Sequence, residues 1–149
     1  LYSVPSPAAT FPGFGCPGAG NYTPQISTSG IPNLGNATFA FELSQALGGA
    51  LALLALGGSN TAWNGFPLPW HLAGLGMPAC YLFVSPDLLF PVVASGTGAG
   101  AGAASVALPV PSDPALVGSS VYAQWWTGLN WFSLIPGALS PALQVTIVP

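Results

Sequence analysis

The sequence predicts an all-β fold: a two-sheet antiparallel β-sandwich of jelly-roll type, preceded by an extended N-terminal arm rich in proline and glycine. Two observations favour this class. Apolar and polar residues alternate with period two in several short stretches, and turn residues separate these stretches about every 8–15 residues. A chain of 149 residues is typical of one domain. We therefore expect residues 1–13 to form the arm and residues 14–149 a single domain.

The clearest alternation lies in Asn36–Ser44, where Phe39, Phe41 and Leu43 share one face. Ser119–Trp126 alternates in the same way and carries two consecutive tryptophans, which must point to opposite faces of a strand. The apolar stretch Ala50–Leu56 could be a helix by propensity, but flanking glycine pairs favour a buried strand. The other predicted strands are Pro24–Gly30, Phe66–Trp70 (as an edge strand or extended crossover), Cys80–Val84, Leu88–Ala94, Ala103–Leu108 and Ala142–Val148.

Three glycine-rich or proline-rich stretches are predicted to be irregular. Residues 1–20 have no periodic pattern, and Gly57–Asn64 is rich in turn residues. Ser95–Gly102 contains the stretch Gly96–Gly102, which superficially resembles a phosphate-binding loop, but it lacks the Walker lysine and no helical pattern follows it. It is therefore predicted to be a flexible loop.

Charged residues are nearly absent: the chain has no Lys or Arg, three acidic residues and a net charge of −3. Nucleic-acid binding and attraction to anionic membranes both depend on basic residues, so neither is expected. The longest apolar run, residues 46–58, is too short for a transmembrane helix, and we expect no membrane insertion. Because near-zero net charge promotes association, the surface is expected to be covered by glycans or by other copies of the chain.

The residues that could support catalysis are few. His71 and Asp87 could join a serine in a triad, but no Gly-x-Ser-x-Gly motif is present. Glu42 could pair with Asp87 or Asp113 as in a glycosidase, but both aspartates adjoin prolines, which favours roles in turns and caps. We expect no enzymatic activity, no metal site and no cofactor.

Several short motifs together resemble an uncharacterised group of small secreted bacterial domains, frequent in planctomycete-like genomes and often C-terminal in large extracellular proteins. The motifs are GCPG (15–18), LGGSN (56–60), PLP (67–69), GMPAC (76–80), DPALVG (113–118), YAQ (122–124) and SPAL (140–143). The resemblance spans about residue 14 to the end and implies secretion, a β-rich fold and a paired GCPG cysteine. Ala79 departs from the group, which tends to have glycine before the second cysteine. Domains of the group usually follow other domains, whereas we expect this chain to stand alone.

Cys16 and Cys80 are the two cysteines of the chain. In an extracellular protein a disulfide between them is the leading interpretation, and two buried thiols are the alternative. Leu1 in place of methionine fits a processed chain whose secretory signal has been removed. Asn21 and Asn36 each begin an Asn-x-Thr sequon and are candidate glycosylation sites.

These features predict an extracellular structural protein that self-assembles into a filament or surface layer, with copies of itself as partners and with exchange of the N-terminal arm. The alternative is a secreted carbohydrate-binding or surface-attachment module, and a hydrolase is a weaker third hypothesis. Exposed aromatic residues would form the interface or stack on sugars. The candidates are Trp63, Trp70, Trp126, Trp131 and Phe132.

Overall fold

The computed structural model describes residues 9–10, 13–129 and 137–149, which form a predominantly β structure. Every paired strand in this part of the chain is antiparallel, as the sequence predicts. The strands, in chain order, are β1 (Ala9–Thr10), β2 (Gln25–Ser29), β3 (Ala40–Gly48), β4 (Leu51–Gly57), β5 (Ala62–Trp63), β6 (Phe66–Pro67), β7 (Trp70–His71), β8 (Tyr81–Leu82), β9 (Leu88–Val93), β10 (Gly98–Ala107), β11 (Ser120–Leu129), β12 (Ala138–Leu139) and β13 (Leu143–Thr146).

The strands form a larger sheet, a smaller sheet and two short ribbons. The larger sheet has the order β1-β13-β11-β4-β9, and β12 also pairs with β11. The smaller sheet has the order β10-β3-β2. The ribbons pair β5 with β6 and β7 with β8, and both belong to the long connection between β4 and β9.

Alternating side chains from the larger sheet and the smaller sheet meet in one apolar cluster, here called the inner cluster. Phe39, Phe41 and Leu43 are all buried in it, as their predicted common face requires, although the strand begins at Ala40 and not at Asn36. Trp125 is completely buried, and its indole Nε1–H donates to the backbone carbonyl of Glu42 at 3.1 Å. The buried members are Ile26, Phe39, Phe41, Leu43, Ala46, Ala52, Leu54, Val110, Ala123, Trp125, Leu143 and Val145.

The glycine-rich stretch predicted as a loop is in fact largely strand. β10 begins at Gly98 and pairs with β3, although the register shifts between Gly98 and Ala104. Gly98 and Gly100 have φ angles of 90° and 79°, which the glycines adopt without a Cβ penalty. These glycines therefore allow an irregular strand at this position, where a loop was predicted.

The N-terminal arm is described only in part. Ala9 pairs with Val145 and Thr10 with Gln144, so β1 forms one edge of the larger sheet. Residues 1–8 and 11–12 lie outside the described part of the chain.

Helical structure in the described residues is confined to 3₁₀ turns at Ala19–Asn21, Leu72–Leu75 and Pro114–Leu116. The carboxylate of Asp113 accepts from the Ala115 amide at 3.0 Å and caps the last of these, in agreement with the predicted capping role. Over the described ranges, no helix has the length and hydropathy needed to cross a membrane.

Candidate aromatic binding site

The connection between β4 and β9, residues 58–87, covers the outward face of the larger sheet. Its buried residues join Cys16, Ala55 and two residues in or near β12 in a second apolar cluster, here called the outer cluster, against which Tyr122 and Trp126 of β11 also pack. The buried members are Cys16, Ala55, Leu72, Met77, Cys80, Leu82, Val84, Leu139 and Ala142.

A disulfide between Cys16 and Cys80 fastens this connection, with the two Cα atoms 5.2 Å apart. The predicted pairing is therefore confirmed. Cys16 also belongs to the sheet, because its amide donates to the carbonyl of Leu139 at 2.9 Å. The bond thus joins the outer connection to the edge of β12.

Gln124 of β11 is a second attachment point and is almost fully buried. Its Oε1 accepts from the amide of Phe83 at 2.9 Å. Its Nε2 donates to the carbonyls of Tyr81 (3.0 Å) and Ser140 (2.9 Å). One side chain therefore satisfies three backbone groups that burial would otherwise leave unpaired. These bonds also fix the position of β8 over the sheet.

Asp87 closes the connection at its base. Its Oδ2 accepts from the Gly58 amide at 3.1 Å and from the Ser85 hydroxyl at 3.0 Å. The amide of Ser59 in turn donates to Ser85 Oγ at 3.1 Å. The carboxylate is therefore used in holding the two ends of the connection together, in line with its predicted role in a turn.

From this base a hairpin, β5–β6, projects with Asn64 and Gly65 at its tip. Both residues have positive φ (48° and 83°), as a tight two-residue hairpin turn requires. Trp63 and Phe66 pair across the hairpin, and the Leu68 amide donates to the Thr61 carbonyl at 2.9 Å.

Four side chains of this region enclose a cavity of about 100 Å³, here called the aromatic cleft. It is lined by Trp63, Phe66, Leu68 and Trp70, and its wall is almost entirely carbon. Phe66 is 64% exposed and Trp70 44% exposed, so two of the four side chains lie largely open to solvent. The cleft can therefore hold an apolar group without any structural rearrangement.

Further aromatic rings line the neighbouring surface. The imidazole of His71 stacks on its cross-strand partner Tyr81, with centroids 4.4 Å apart. Phe14, which is exposed, meets Tyr81 and Phe83 edge-on at 5.5 and 5.2 Å. These rings join the GCPG segment to the connection by aromatic contacts as well as by the disulfide.

The predicted aromatic candidates divide into three groups. Trp63 and Trp70 are brought together in the cleft. Trp126 is instead half-buried beneath the connection, and its Nε1 has no hydrogen-bond partner among the described residues. Trp131 and Phe132 lie outside the described residues.

Phe66 and Leu68 complete the cleft and were not among the sequence candidates. The signal that identifies Phe66 is the dipeptide Asn64-Gly65 between two aromatic residues, which is a strong indicator of a hairpin and of cross-strand pairing. The sequence predicts a turn-rich loop over Gly57–Asn64, whereas in the structure Ala62 and Trp63 form β5 and pair with β6. Leu68 follows the hairpin directly, and no pattern distinguishes it.

The titratable side chains each have separate partners. His71 Nε2 lies 2.7 Å from the carbonyl oxygen of Pro78, and Glu42 accepts from the Ser105 hydroxyl at 2.7 Å. No hydrogen bond among the described residues joins any two of His71, Glu42, Asp87 and Asp113. Nor does any group of three His, Cys, Asp or Glu residues in those ranges have the geometry to hold a metal ion.

A larger cavity, of about 490 Å³, lies beside Cys80 of the disulfide. Its walls include Cys80, Met77, Gln45 and Thr127. The Thr127 hydroxyl already donates to the carbonyl of Ala138 at 3.3 Å. The cavity wall is mostly apolar, and Gln45 and Tyr22 add polar side chains to it.

The two sequons lie in turns. Asn21 is exposed and has a φ of 63°. Asn36 is half-buried: its Nδ2 donates to the Ile31 carbonyl at 2.7 Å, and its Oδ1 accepts from the Thr38 amide and hydroxyl. The Asn21 side chain is therefore the more accessible of the two.

No family model, no curated protein and no solved structure matches this chain. The function is therefore argued from the geometry alone.

Proposed function

We propose that this chain is an extracellular structural domain that self-assembles into a filament or surface layer through apolar, charge-poor contacts. One observation carries the proposal: large apolar side chains are exposed on a chain that has no basic residue and three acidic ones. The exposed residues are Phe14, Tyr22, Ile31, Phe66, Trp70, Leu88, Leu89, Val93 and Val117.

Association between two copies depends on which exposed apolar side chains lie next to each other. Single exposed apolar residues are normal on a monomer, but adjacent ones mark interfaces. Leu88, Leu89 and Val93 lie on one strand, and Phe66 and Trp70 line one cleft. With so little charge, electrostatic repulsion between copies is weak, and burial of these side chains favours association.

The form of contact that best fits the larger sheet is side-chain packing rather than extension of the sheet. Phe90 and Val92 pack towards the inner cluster, so Leu89, Pro91 and Val93 point to the opposite face. β9 is an edge strand, and Pro91 removes an N–H from the middle of it. An edge with a central proline is a poor template for a further strand.

We also propose that the larger and smaller sheets are the two layers of a β-sandwich. The inner cluster supports this arrangement, because it takes buried residues from β2 and β3 on one side and from β4, β11 and β13 on the other. The disulfide is consistent with an oxidising, extracellular location. Glycosylation at Asn21, the more accessible sequon, would shield a surface that lacks charge.

Microscopy and light scattering on the purified protein test the proposed function. We expect particles that grow with concentration into fibres or sheets, seen by negative stain. Because the contacts are uncharged, raising the salt to about 0.5 M should leave the assembly intact, whereas it would weaken one held by ion pairs. A monodisperse monomer at high concentration, or an assembly that salt dissolves, would overturn the proposal.

The second candidate is a carbohydrate-binding module, favoured by the exposed rings of Phe66 and Trp70. Sugar sites combine an aromatic platform with polar groups that fix the hydroxyls, and the wall of the cleft is nearly all carbon. Glycan-array binding that is lost in Trp70→Ala would support this candidate. No binding to any polysaccharide would count against it.

A further inference from the structure

The aromatic cleft has the size of a site for one or two side chains. Pockets that enclose whole drug-sized molecules measure about 300–1,000 Å³, and this cleft measures about 100 Å³. An occupant must therefore be a small apolar group on a longer chain. The carbon wall provides no hydrogen-bonding partners, so an occupant with few exposed N–H groups fits best.

Proline in an extended segment has these properties. Aromatic-lined grooves bind extended proline-containing peptides, because the ring packs on the aromatic faces and the peptide loses little conformational entropy. Residues 1–8 of this chain read LYSVPSPA, with Pro5 and Pro7 two positions apart and no charged side chain to desolvate. The other proline-rich stretch, 109–114, is already held in the fold, since Val110 is buried and its amide donates to Asn36 at 2.9 Å.

The register of the larger sheet shows where residues 1–8 join the described part of the fold. Ala9 pairs with Val145, Val145 with Val121, and the adjacent Tyr122 pairs with Gly57. β1 therefore begins at the end of the sheet from which the connection bearing the cleft starts. Because β1 is an edge strand and eight extended residues span up to about 27 Å, the segment that precedes it is long enough to reach a neighbouring copy.

We propose that the aromatic cleft of one copy receives Pro5 and Pro7 of a second copy. This proposal rests on the self-assembly proposed above and names the contact that drives it. The donated segment and the receiving cleft are different surfaces, so each copy can give one contact and accept another. Such a head-to-tail contact propagates into an open polymer when the rotation does not close a ring.

Two full-length variants test the contact by complementation. Pro5→Asp with Pro7→Asp disables the segment and keeps the cleft, whereas Phe66→Ser disables the cleft and keeps the segment. We expect each variant alone to need at least about tenfold more protein to assemble, as loss of a central interface contact does. Mixed together, they should form a one-to-one complex in sedimentation velocity, because only one productive contact remains.

The matched control is Tyr22→Ser, which removes a 47% exposed aromatic residue outside the cleft and should weaken assembly much less than Phe66→Ser does. Far-UV circular dichroism establishes that each variant is folded. A measurement on the wild type needs no variant: excess synthetic peptide of residues 1–8 should inhibit assembly, and the same peptide with Asp at both proline positions should not.

The outcomes separate the two proposals. If the wild type assembles but both variants assemble equally well, or if the mixed variants form no complex, the cleft contact is wrong and self-assembly stands. A segment that docks in the cleft of its own copy would also give no mixed complex, and it would overturn the proposal in the same way. If the wild type stays monomeric, the proposed function fails and this contact fails with it.

Discussion

The two faces of the larger sheet carry apolar clusters of different origin. The inner cluster fills the space towards the smaller sheet with alternating residues of strands. The outer cluster lies under an irregular connection, which the Cys16–Cys80 disulfide and the hydrogen bonds of Gln124 hold against the sheet. The inner face is therefore specified by local periodicity, and the outer face by contacts between residues distant in sequence.

This difference has an energetic consequence. Removing one large residue from the inner cluster opens a cavity in a closely packed region, and its cost is set by volume. Removing an attachment from the outer cluster frees a segment of chain, and its cost is set by conformational entropy and by backbone groups left unpaired. Three variants separate these two contributions, and a fourth tests the aromatic cleft.

Trp125→Ala should have the largest effect, a loss of about 5 kcal/mol in the free energy of unfolding, at the upper end of the range for aromatic truncation. The residue is fully buried, and its indole also satisfies the carbonyl of Glu42. Chemical denaturation measures the loss. Trp70→Ala, the same change at a partly exposed site, is the control, and a cost equal to that of Trp125→Ala would contradict the assignment of the core.

Replacing both cysteines, Cys16→Ser with Cys80→Ser, should lower stability by about 4 kcal/mol, given a sequence separation of 64. Unfolding should become insensitive to reductant, whereas that of the wild type should shift towards that of the variant when reductant is added. Amide exchange in β8 should accelerate more than exchange in β3, because the bond holds the connection and not the inner strands. Equal acceleration in both strands would show that the two clusters unfold as one unit.

Sequence patterns predicted residues of the inner cluster, but they did not predict which side chains meet in the cleft. Phe41 and Trp125 could be assigned to a buried face because period two relates each to its neighbours on one strand. Trp63 and Phe66 meet only because Asn64 and Gly65 turn the chain, and Trp70 joins them from beyond two prolines, which no periodicity connects. The loop prediction for the glycines of β10 was wrong for a different reason: local composition suggested a loop, but pairing with β3 imposes a strand.

Gln124→Leu should cost about 2–3 kcal/mol, because leucine fills the space of the side chain but leaves the Phe83 amide and the Tyr81 and Ser140 carbonyls without their partner. Thermal unfolding measures this loss of stability as a decrease in the melting temperature. Gln144→Leu is the matched control: among the described residues the side chain of this glutamine makes one hydrogen bond, of 3.3 Å to Ser120, and the variant should lose less than about 0.5 kcal/mol. Similar losses in the two variants would mean that Gln124 does not hold the connection.

Phe66→Ala should have the smallest effect on stability, below about 0.5 kcal/mol, since the side chain is 64% exposed and belongs to neither cluster. Denaturation at a protein concentration below the assembly threshold measures this loss of stability without a contribution from assembly. A loss as large as that of Gln124→Leu would make the cleft part of the packing that holds the connection in place. A small loss together with weakened assembly would instead separate the two roles of the connection: its buried side completes the fold, and its exposed aromatic side remains open for binding.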